Sequence, residues 1–337
     1  MIKRKAVALL SGGLDSMLAI KVILDQGIPV VAVRFITNFG CDPVSSGSCG
    51  HDVEPLYKMW HHLGLEIKMA HLGQDYIDMV RHPAHGHGRN MNPCVDCRLM
   101  MLNWGKELLE THSGGFMITG EVLNQRPLSQ TRPSLQLVEK QAGLIGLLLR
   151  PLSAKLLEPT LPEIEGIVDR SKLLDISGRS RTRQYELARQ FGIADIPQPS
   201  GGCLLTDPGY SDRLRELWRF DPDAGAHDIN LLRVGRHFRF TPATKIIVGR
   251  NKTENDTLEA HVTEQDAIVR ARDFVGPITL VRGAITDAAL AFAARVAARY
   301  ADMPDGVDPV VVVAAGRELS VSPVVETEVN SMRVGVR

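Results

Sequence analysis

Short apolar runs alternate with amphipathic stretches through the first half of the chain. Ala6-Val7-Ala8-Leu9-Leu10 is continuous and uncharged, the pattern of a strand buried on both faces of a parallel sheet. Met17 to Leu24 follows with strong helix formers and an apolar face at helical spacing. Ile28 to Ile36 reads as a second buried strand, Glu54 to Leu63 as a helix and Leu65 to Leu72 as a third strand. Leu99 to Leu109 is helical, and Phe116 to Gly120 is a further strand. Strand, helix, strand in this order predicts right-handed crossovers and an α/β, doubly wound parallel sheet over residues 1–160. Residues 161–220 form a helical segment, with a charged helical pattern from Glu163 to Phe191. Turn formers from Phe220 to His227 predict a linker.

Beyond that point the texture changes to short alternating strands. Arg233 to Phe240 and Thr244 to Gly249 read as a hairpin, Leu258 to Thr263 and Ile278 to Val281 as strands, and Asp287 to Arg299 as an alanine-rich helix. Val310 to Ala314 and Val321 to Val325 close a smaller α+β domain spanning 228–337.

Composition bounds the picture. The 337 residues suffice for two domains, each with its own core. The 39 basic residues balance the 39 acidic ones, so RNA contact must come from local patches. No apolar run is long enough to span a bilayer, and the five apolar residues after Lys5 are too few for a signal-peptide core. The expectation is a cytoplasmic protein without a membrane partner, in which five cysteines suit a metal site or sulfur chemistry better than disulfides.

Chemistry concentrates in three places. Ser11-Gly12-Gly13-Leu14-Asp15-Ser16 joins a buried strand to a helix, where glycines allow close backbone approach and the helix amides and both serine hydroxyls face an anion. Cys94-Val-Asp-Cys97 stands at a helix N-terminus, one turn apart, where the dipole favours thiolates. Alone that pair supports a redox dithiol, half a zinc site or an iron–sulfur site. Cys203, flanked by Gly202, makes a third thiol, the count of a cluster with one open iron or of a nucleophile with its resolving partner. Cys41 and Cys49 read as loop bystanders. The run His82-Pro-Ala-His85-Gly-His87-Gly-Arg89 reads as a mobile active-site loop rather than a metal site.

The loop resembles the SGGxDS signature of the PP-loop ATP pyrophosphatases, of adenine nucleotide alpha hydrolase-like fold. That resemblance implies ATP held by Ser11, Gly12, Gly13, Asp15 and Ser16, with Asp15 near the pyrophosphate and its Mg2+. Asn92-Pro-Cys94-x-x-Cys97 and Gly202-Cys203 resemble segments of tRNA 2-thiouridine synthases, and the three-cysteine version resembles their iron–sulfur-dependent branch. It implies a [4Fe-4S] cluster on Cys94, Cys97 and Cys203; in the cluster-free branch Cys97 and Cys203 are instead the catalytic pair. Thr119-Gly120-Glu121, Gln125, Ser129-Gln130-Thr131 and Leu149-Arg-Pro-Leu152 resemble 4-thiouridine synthetases, which adds Gly120 and Gln125 to the ATP site. Asn124 departs from that pattern, which has glycine there.

Val248-Gly-Arg250-Asn251, Asn255-Asp256 and Asp273 to Pro277 resemble the NFACT-R RNA-binding module. Arg233, Arg236, Arg239, Lys245, Arg250 and Lys252 gather charge on one hairpin as a phosphate footprint, and Arg181 and Arg183 add a second basic spot. Together these features predict an ATP-dependent tRNA thiolase that adenylates a uracil oxygen and replaces it with sulfur. Its partners are tRNA and a sulfur donor, sulfide or a persulfide carrier, and a homodimer is one expectation for its assembly. The alternatives are another PP-loop ligase with zinc-binding cysteines and a non-catalytic RNA-binding adaptor.

Overall fold

The computed structural model of the chain describes residues 5–40, 65–111, 115–193, 203–304, 310–314 and 316–335. Cys41, Cys49, Gly202 and the helix expected over Glu54 to Leu63 lie outside them. The chain divides into two compact units, Met1–Leu204 and Leu205–Arg337. Among the described residues no helix is long and apolar enough to cross a membrane.

In the first unit β1 (Ala6–Leu9), β2 (Val30–Ile36), β3 (Glu66–His71), β4 (Phe116–Thr119) and β5 (Leu148–Leu149) form one parallel sheet in the order β3-β2-β1-β4-β5. The two-residue period of a strand sends alternate side chains to opposite faces. Ala6, Ala8 and Ile118 pack with Met17 and Ile20 of α1 (Leu14–Leu24), whereas Val7, Val31 and Met117 pack on the other face with Leu102 and Leu108 of the long helix Cys94–Thr111.

 That long helix is α3, and α2 (Gln74–Arg81) packs beside it. With α4 (Arg132–Gln141) on the α3 face and α6 (Thr182–Gln190) against α1, both faces of the sheet are covered, as a doubly wound fold requires. The strand order reverses between β1 and β4, the place where an open α/β sheet binds ligands beyond the carboxyl ends of its strands.

Helix starts differ from the sequence expectation for a local reason. α1 begins at Leu14, because Gly13 takes an extended conformation and its carbonyl accepts from the Ser16 hydroxyl at 2.7 Å. The phosphate-type loop is therefore continuous with the first helical turn. Likewise α3 begins at Cys94, and the Cys97 N–H donates to the Pro93 carbonyl, so both cysteines occupy its opening turn.

The charged segment from Glu163 to Phe191 is not one helix. A capping box between Thr160 and Glu163 starts α5 (Leu161–Ile164), which ends after one turn at Gly166, φ +70°. A 3-10 turn at Arg170–Lys172 and then α6 follow. The turn-rich stretch from Phe220 to His227 lies inside the second unit, between α7 (Pro208–Phe220) and α8 (Ala226–Leu231).

The second unit is an antiparallel sheet of β6 (Arg236–Thr241), β7 (Thr244–Val248), β8 (Asp266–Ala271), β9 (Thr279–Gly283), β10 (Val310–Ala314), β11 (Arg317–Val321) and β12 (Arg333–Val334). Their order is β11-β10-β8-β9-β7-β6-β12. Ala289, Ala293 and Val296 of α10 (Asp287–Arg299) pack on Phe238, Ile246 and Val281. The strand expected over Leu258 to Thr263 is instead the end of α9 (Lys252–Ala260), because the Asn251 side chain caps the Glu254 N–H and starts a helix. Its Leu258 packs on the other core of the sheet with Ile247 and Leu280. The last expected strand, Val321 to Val325, falls earlier, at β11, and α11 (Glu326–Ser331) follows.

One close contact sets the geometry of the ligand-binding edge. A Cβ on Gly120, just past β4, would stand 2.4 Å from the backbone nitrogen of Ser16. Gly120→Ala should destabilise the chain by about 3 kcal/mol, because backbone rather than a flexible side chain must yield. Urea unfolding measures it, and an unchanged midpoint would mean that the two segments separate freely.

Candidate active site

The loop after β1 is held by its own serines. The Ser11 hydroxyl donates to Ser16 Oγ at 3.2 Å and accepts from the Gly13 N–H at 3.3 Å, and Gly12 has φ +79°. Asp15, in the first turn of α1, accepts from Gln125 Nε2 at 2.7 Å through Oδ2. The same oxygen is 3.7 Å from an Arg181 guanidinium nitrogen. Its second oxygen, Oδ1, is buried and has no hydrogen-bond partner. An orphaned carboxylate oxygen beside an anion-binding loop fits a divalent cation bridging phosphates, since desolvating it without a partner costs about 1–3 kcal/mol or more.

Gln125 reaches Asp15 because Asn124 takes a left-handed conformation, φ +60°. Asparagine tolerates that region better than other residues with a side chain, so the loop keeps the bend for which the resembled pattern has glycine. Gln125 in turn accepts from Gln184 Nε2 at 3.0 Å. Gly120, Gln125, Asp15 and Ser16 thus meet where β1 and β4 end.

The thiols gather over the neighbouring strands. Gly40, following β2, forms a β-bridge with Cys203, and the Leu204 N–H donates to the Phe39 carbonyl at 3.0 Å. Tyr76, on α2 after β3, stands with its hydroxyl 3.1 Å from Cys97 Sγ. Burial raises the Tyr76 pKa well above its usual value, and the charges of Cys97, Cys203 and Cys94 push it further. Burial also pushes the Cys97 thiol up to about 11, against the hydrogen bond from Tyr76 that lowers it. Cys94, Cys97 and Cys203 are half-buried and in no disulfide. Among the described residues no three His, Cys, Asp or Glu side chains are placed to hold a metal ion together.

The histidine run is hydrogen-bonded to neighbouring elements. His85 Nδ1 lies 2.8 Å from Asp96 Oδ1, its backbone N–H donates to Asp96 Oδ2 at 3.0 Å, and its Nε2 meets Gln141 at 3.0 Å. His87 Nε2 is 2.8 Å from the Val80 carbonyl.

Glu121 joins the two halves of the site. Burial alone would raise its pKa, but Arg98 and Arg150 overcome that and hold its carboxyl below the usual 4.5. Arg98, next to Cys97, also donates to the Ser129 carbonyl, while Arg150 Nε donates to Glu121 at 3.1 Å and Arg150 Nη1 to Glu139 at 2.8 Å. Sequence reading passed over Tyr76 and Gln184. An aromatic on an amphipathic helix and a glutamine in a charged helix carry no signal of their own.

The basic residues divide. Arg181 lies at Asp15, whereas Arg183 pairs with Asp175 at 2.7 Å on the surface. In the second unit the expected hairpin footprint needs correcting, because Arg239 and Lys245 both close on Glu216. Lys245 is buried, which pushes its amine down to about 8. Arg236 lies over the Tyr300 ring at 4.4 Å. Arg250 and Lys252 stay exposed, paired one turn away with Glu254 and Asp256, and such surface pairs exchange at little cost.

Residues 1–156 match the family described as thiamine biosynthesis protein (ThiI), and residues 235–332 match the NFACT protein RNA binding domain. The chain therefore joins a ThiI-type PP-loop domain to an NFACT-type RNA-binding domain. No curated protein matches it. Similar solved structures include the C-terminal part of the fibronectin/fibrinogen-binding protein from Streptococcus suis, 16% identical over 46% of this chain and 79% of that one, TM-score 0.27. A 4-thiouridine synthetase in complex with RNA and ATP is 19% identical over 56% of this chain and 52% of its own, TM-score 0.35. NMN synthetase from Francisella tularensis is 12% identical over 59% and 90%, TM-score 0.28.

Glu121 makes two predictions. Glu121→Gln leaves Arg98 and Arg150 short of a buried counter-charge and should cost about 3–5 kcal/mol at neutral pH, read by denaturant unfolding. Because the folded pKa is depressed, the carboxylate's contribution is complete above 4.5 and disappears as pH falls through the lower folded value. The variant should accordingly lose less stability than the parent on acidification below that point.

Proposed function

We propose that the chain is an ATP-dependent tRNA sulfurtransferase acting in the cytoplasm. The observation that carries this reading is the arrangement of loops along one sheet edge. Those after β1 and β4 bring together Ser11, Ser16, Asp15 and Gln125, and those after β2 and β3 bring Cys203 and Tyr76 with Cys97. A phosphate-type loop and thiols near the ends of adjacent strands suit a reaction that first activates an oxygen and then replaces it with sulfur. The match of residues 1–156 to ThiI supports the same class, and the RNA-binding module supports an RNA substrate.

Ser11, Gly12, Gly13 and Ser16 cradle the phosphates of ATP through backbone amides and hydroxyls, with Gly120 keeping β4 close to the loop. Asp15 offers Oδ1 to Mg2+, which would neutralise the phosphate oxygens. Arg181 faces the same charge from α6. The uracil carbonyl oxygen attacks the α-phosphorus, and pyrophosphate leaves with the electron pair of the broken P–O bond. The adenylated oxygen is then a good leaving group. Hydrosulfide from the sulfur donor adds at the ring carbon, AMP departs with the oxygen and a proton is released, so the exchange consumes no oxidant or reductant. A [4Fe-4S] cluster on Cys94, Cys97 and Cys203 would supply that sulfur from its open iron. Tyr76 holds the Cys97 sulfur in place, and Arg98 and Glu121 keep the cysteine-bearing helix against the nucleotide loop. Arg250 and Lys252 contact tRNA phosphates by releasing Glu254 and Asp256.

Asp15→Ala should abolish ATP–pyrophosphate exchange and leave tRNA affinity nearly unchanged; full exchange in that variant removes the nucleotide assignment. Protein reconstituted without oxygen should hold about four irons and four sulfides per chain. Replacing Cys94, Cys97 and Cys203 together by Ala should remove them, and retention would place the cluster elsewhere.

A further inference from the structure

Gln184 is completely buried on α6, yet its Oε1 has no hydrogen-bond partner. A residue that served only to fill the α1–α6 contact would be apolar, as its neighbour Ala188 is, because half an unsatisfied buried amide is destabilising. What the glutamine does provide is a donor: its Nε2 lies 3.0 Å from Gln125 Oε1. That contact decides which way the Gln125 amide points. With Oε1 engaged by Gln184, Nε2 must face Asp15, and it donates to Oδ2 at 2.7 Å. Turned over, Gln125 would set its oxygen against the carboxylate and its nitrogen against another donor.

From this chain of two directed hydrogen bonds we infer that Gln184 is a positioning residue of the nucleotide site: it orients Gln125 so that Asp15 is capped at Oδ2 and presents Oδ1 to a divalent cation. The inference rests on the reading that this site takes ATP with Mg2+. Gln184 touches neither nucleotide nor metal. Arg181, three residues earlier on the approach to α6, reaches the same Oδ2 at 3.7 Å, so the beginning of this helix controls one face of the carboxylate. The unpartnered Oδ1 is the consequence.

The test compares the full chain with Gln184→Leu, which keeps the volume and removes the donor, and Gln184→Glu, which keeps the shape and puts an acceptor against Gln125 Oε1. ATP binding is measured by calorimetry with Mg2+ and with EDTA, and ATP–pyrophosphate exchange is titrated with Mg2+. Both variants should bind ATP roughly tenfold more weakly with Mg2+ and need roughly tenfold more Mg2+ for half-maximal exchange, as expected for loss of one buried hydrogen bond in a directed pair. Binding in EDTA should be unchanged; both variants should melt at a lower temperature without nucleotide, since each leaves a buried polar group unsatisfied, so circular dichroism at the assay temperature confirms that they are folded. Gln125→Leu combined with Gln184→Leu should be no worse than Gln125→Leu alone, since Gln184 acts only through Gln125. Parental Mg2+ dependence in a folded Gln184 variant, or additive losses in the double variant, would overturn the inference. If Gln184→Leu does not fold, Gln184→Glu decides by the same criteria. A parent chain that binds no ATP would overturn the functional reading, and this inference with it; a parent that binds ATP beside variants with unaltered Mg2+ dependence would overturn the inference alone.

Discussion

A buried carboxylate between two guanidinium groups governs the first unit. Glu121 follows Gly120 at the end of β4, and Arg98 follows Cys97 on α3, so their ion pair locks the end of β4 to the helix that carries two thiols. Arg150, itself buried just past β5, closes the other side and ties in Glu139 of α4. Burying three charges is expensive unless each lone pair and donor is used, and here the Thr119 hydroxyl and the Ser129 and Leu135 carbonyls take up the remainder. The geometry of the site is thereby made insensitive to small movements of its loops.

On one side of that lock lies a loop whose polar groups are satisfied except where a ligand belongs. Ser11, Gly13 and Ser16 bond to one another, and Gln184 and Gln125 direct Asp15, leaving one carboxylate oxygen without a partner. On the other side the Cys97 sulfur meets the Tyr76 hydroxyl. The buried Cys97 thiol is a poor nucleophile with its pKa raised to about 11, so its use as a ligand or attacking group requires a cation or a partner to stabilise the thiolate.

The second unit manages charge differently. Its cations are mostly spent internally, Arg239 and Lys245 on Glu216, Arg282 on Asp266 and Asp228, and Arg295 on Glu328. A run of arginines along a hairpin overstates the field that the folded surface presents. Arg250 and Lys252, at the start of α9, keep solvent exposure and so suit contact with phosphate.

Local chemistry made much of this legible. The uncharged run Ala6 to Leu10, the glycine-rich turn after it and the alternation of strands and helices were enough for a doubly wound sheet with a loop at the carboxyl end of its first strand, since burial on both faces and helix periodicity are written in neighbouring residues. The helix Asp287–Arg299 was equally plain from its alanines and its acidic start. Capping could move a boundary or change an element, as Asn251 did by turning an expected strand into the end of α9. Long-range encounters were beyond such reading. That Cys203 bridges Gly40, that Tyr76 meets Cys97, that Arg181 turns to Asp15 and that Gln184 steers Gln125 all depend on segments far apart in the chain. Residue type along the sequence tells which groups can bond or ionise, but their partners are chosen only when packing brings the strand ends to one edge and removes the water that would otherwise serve any of them.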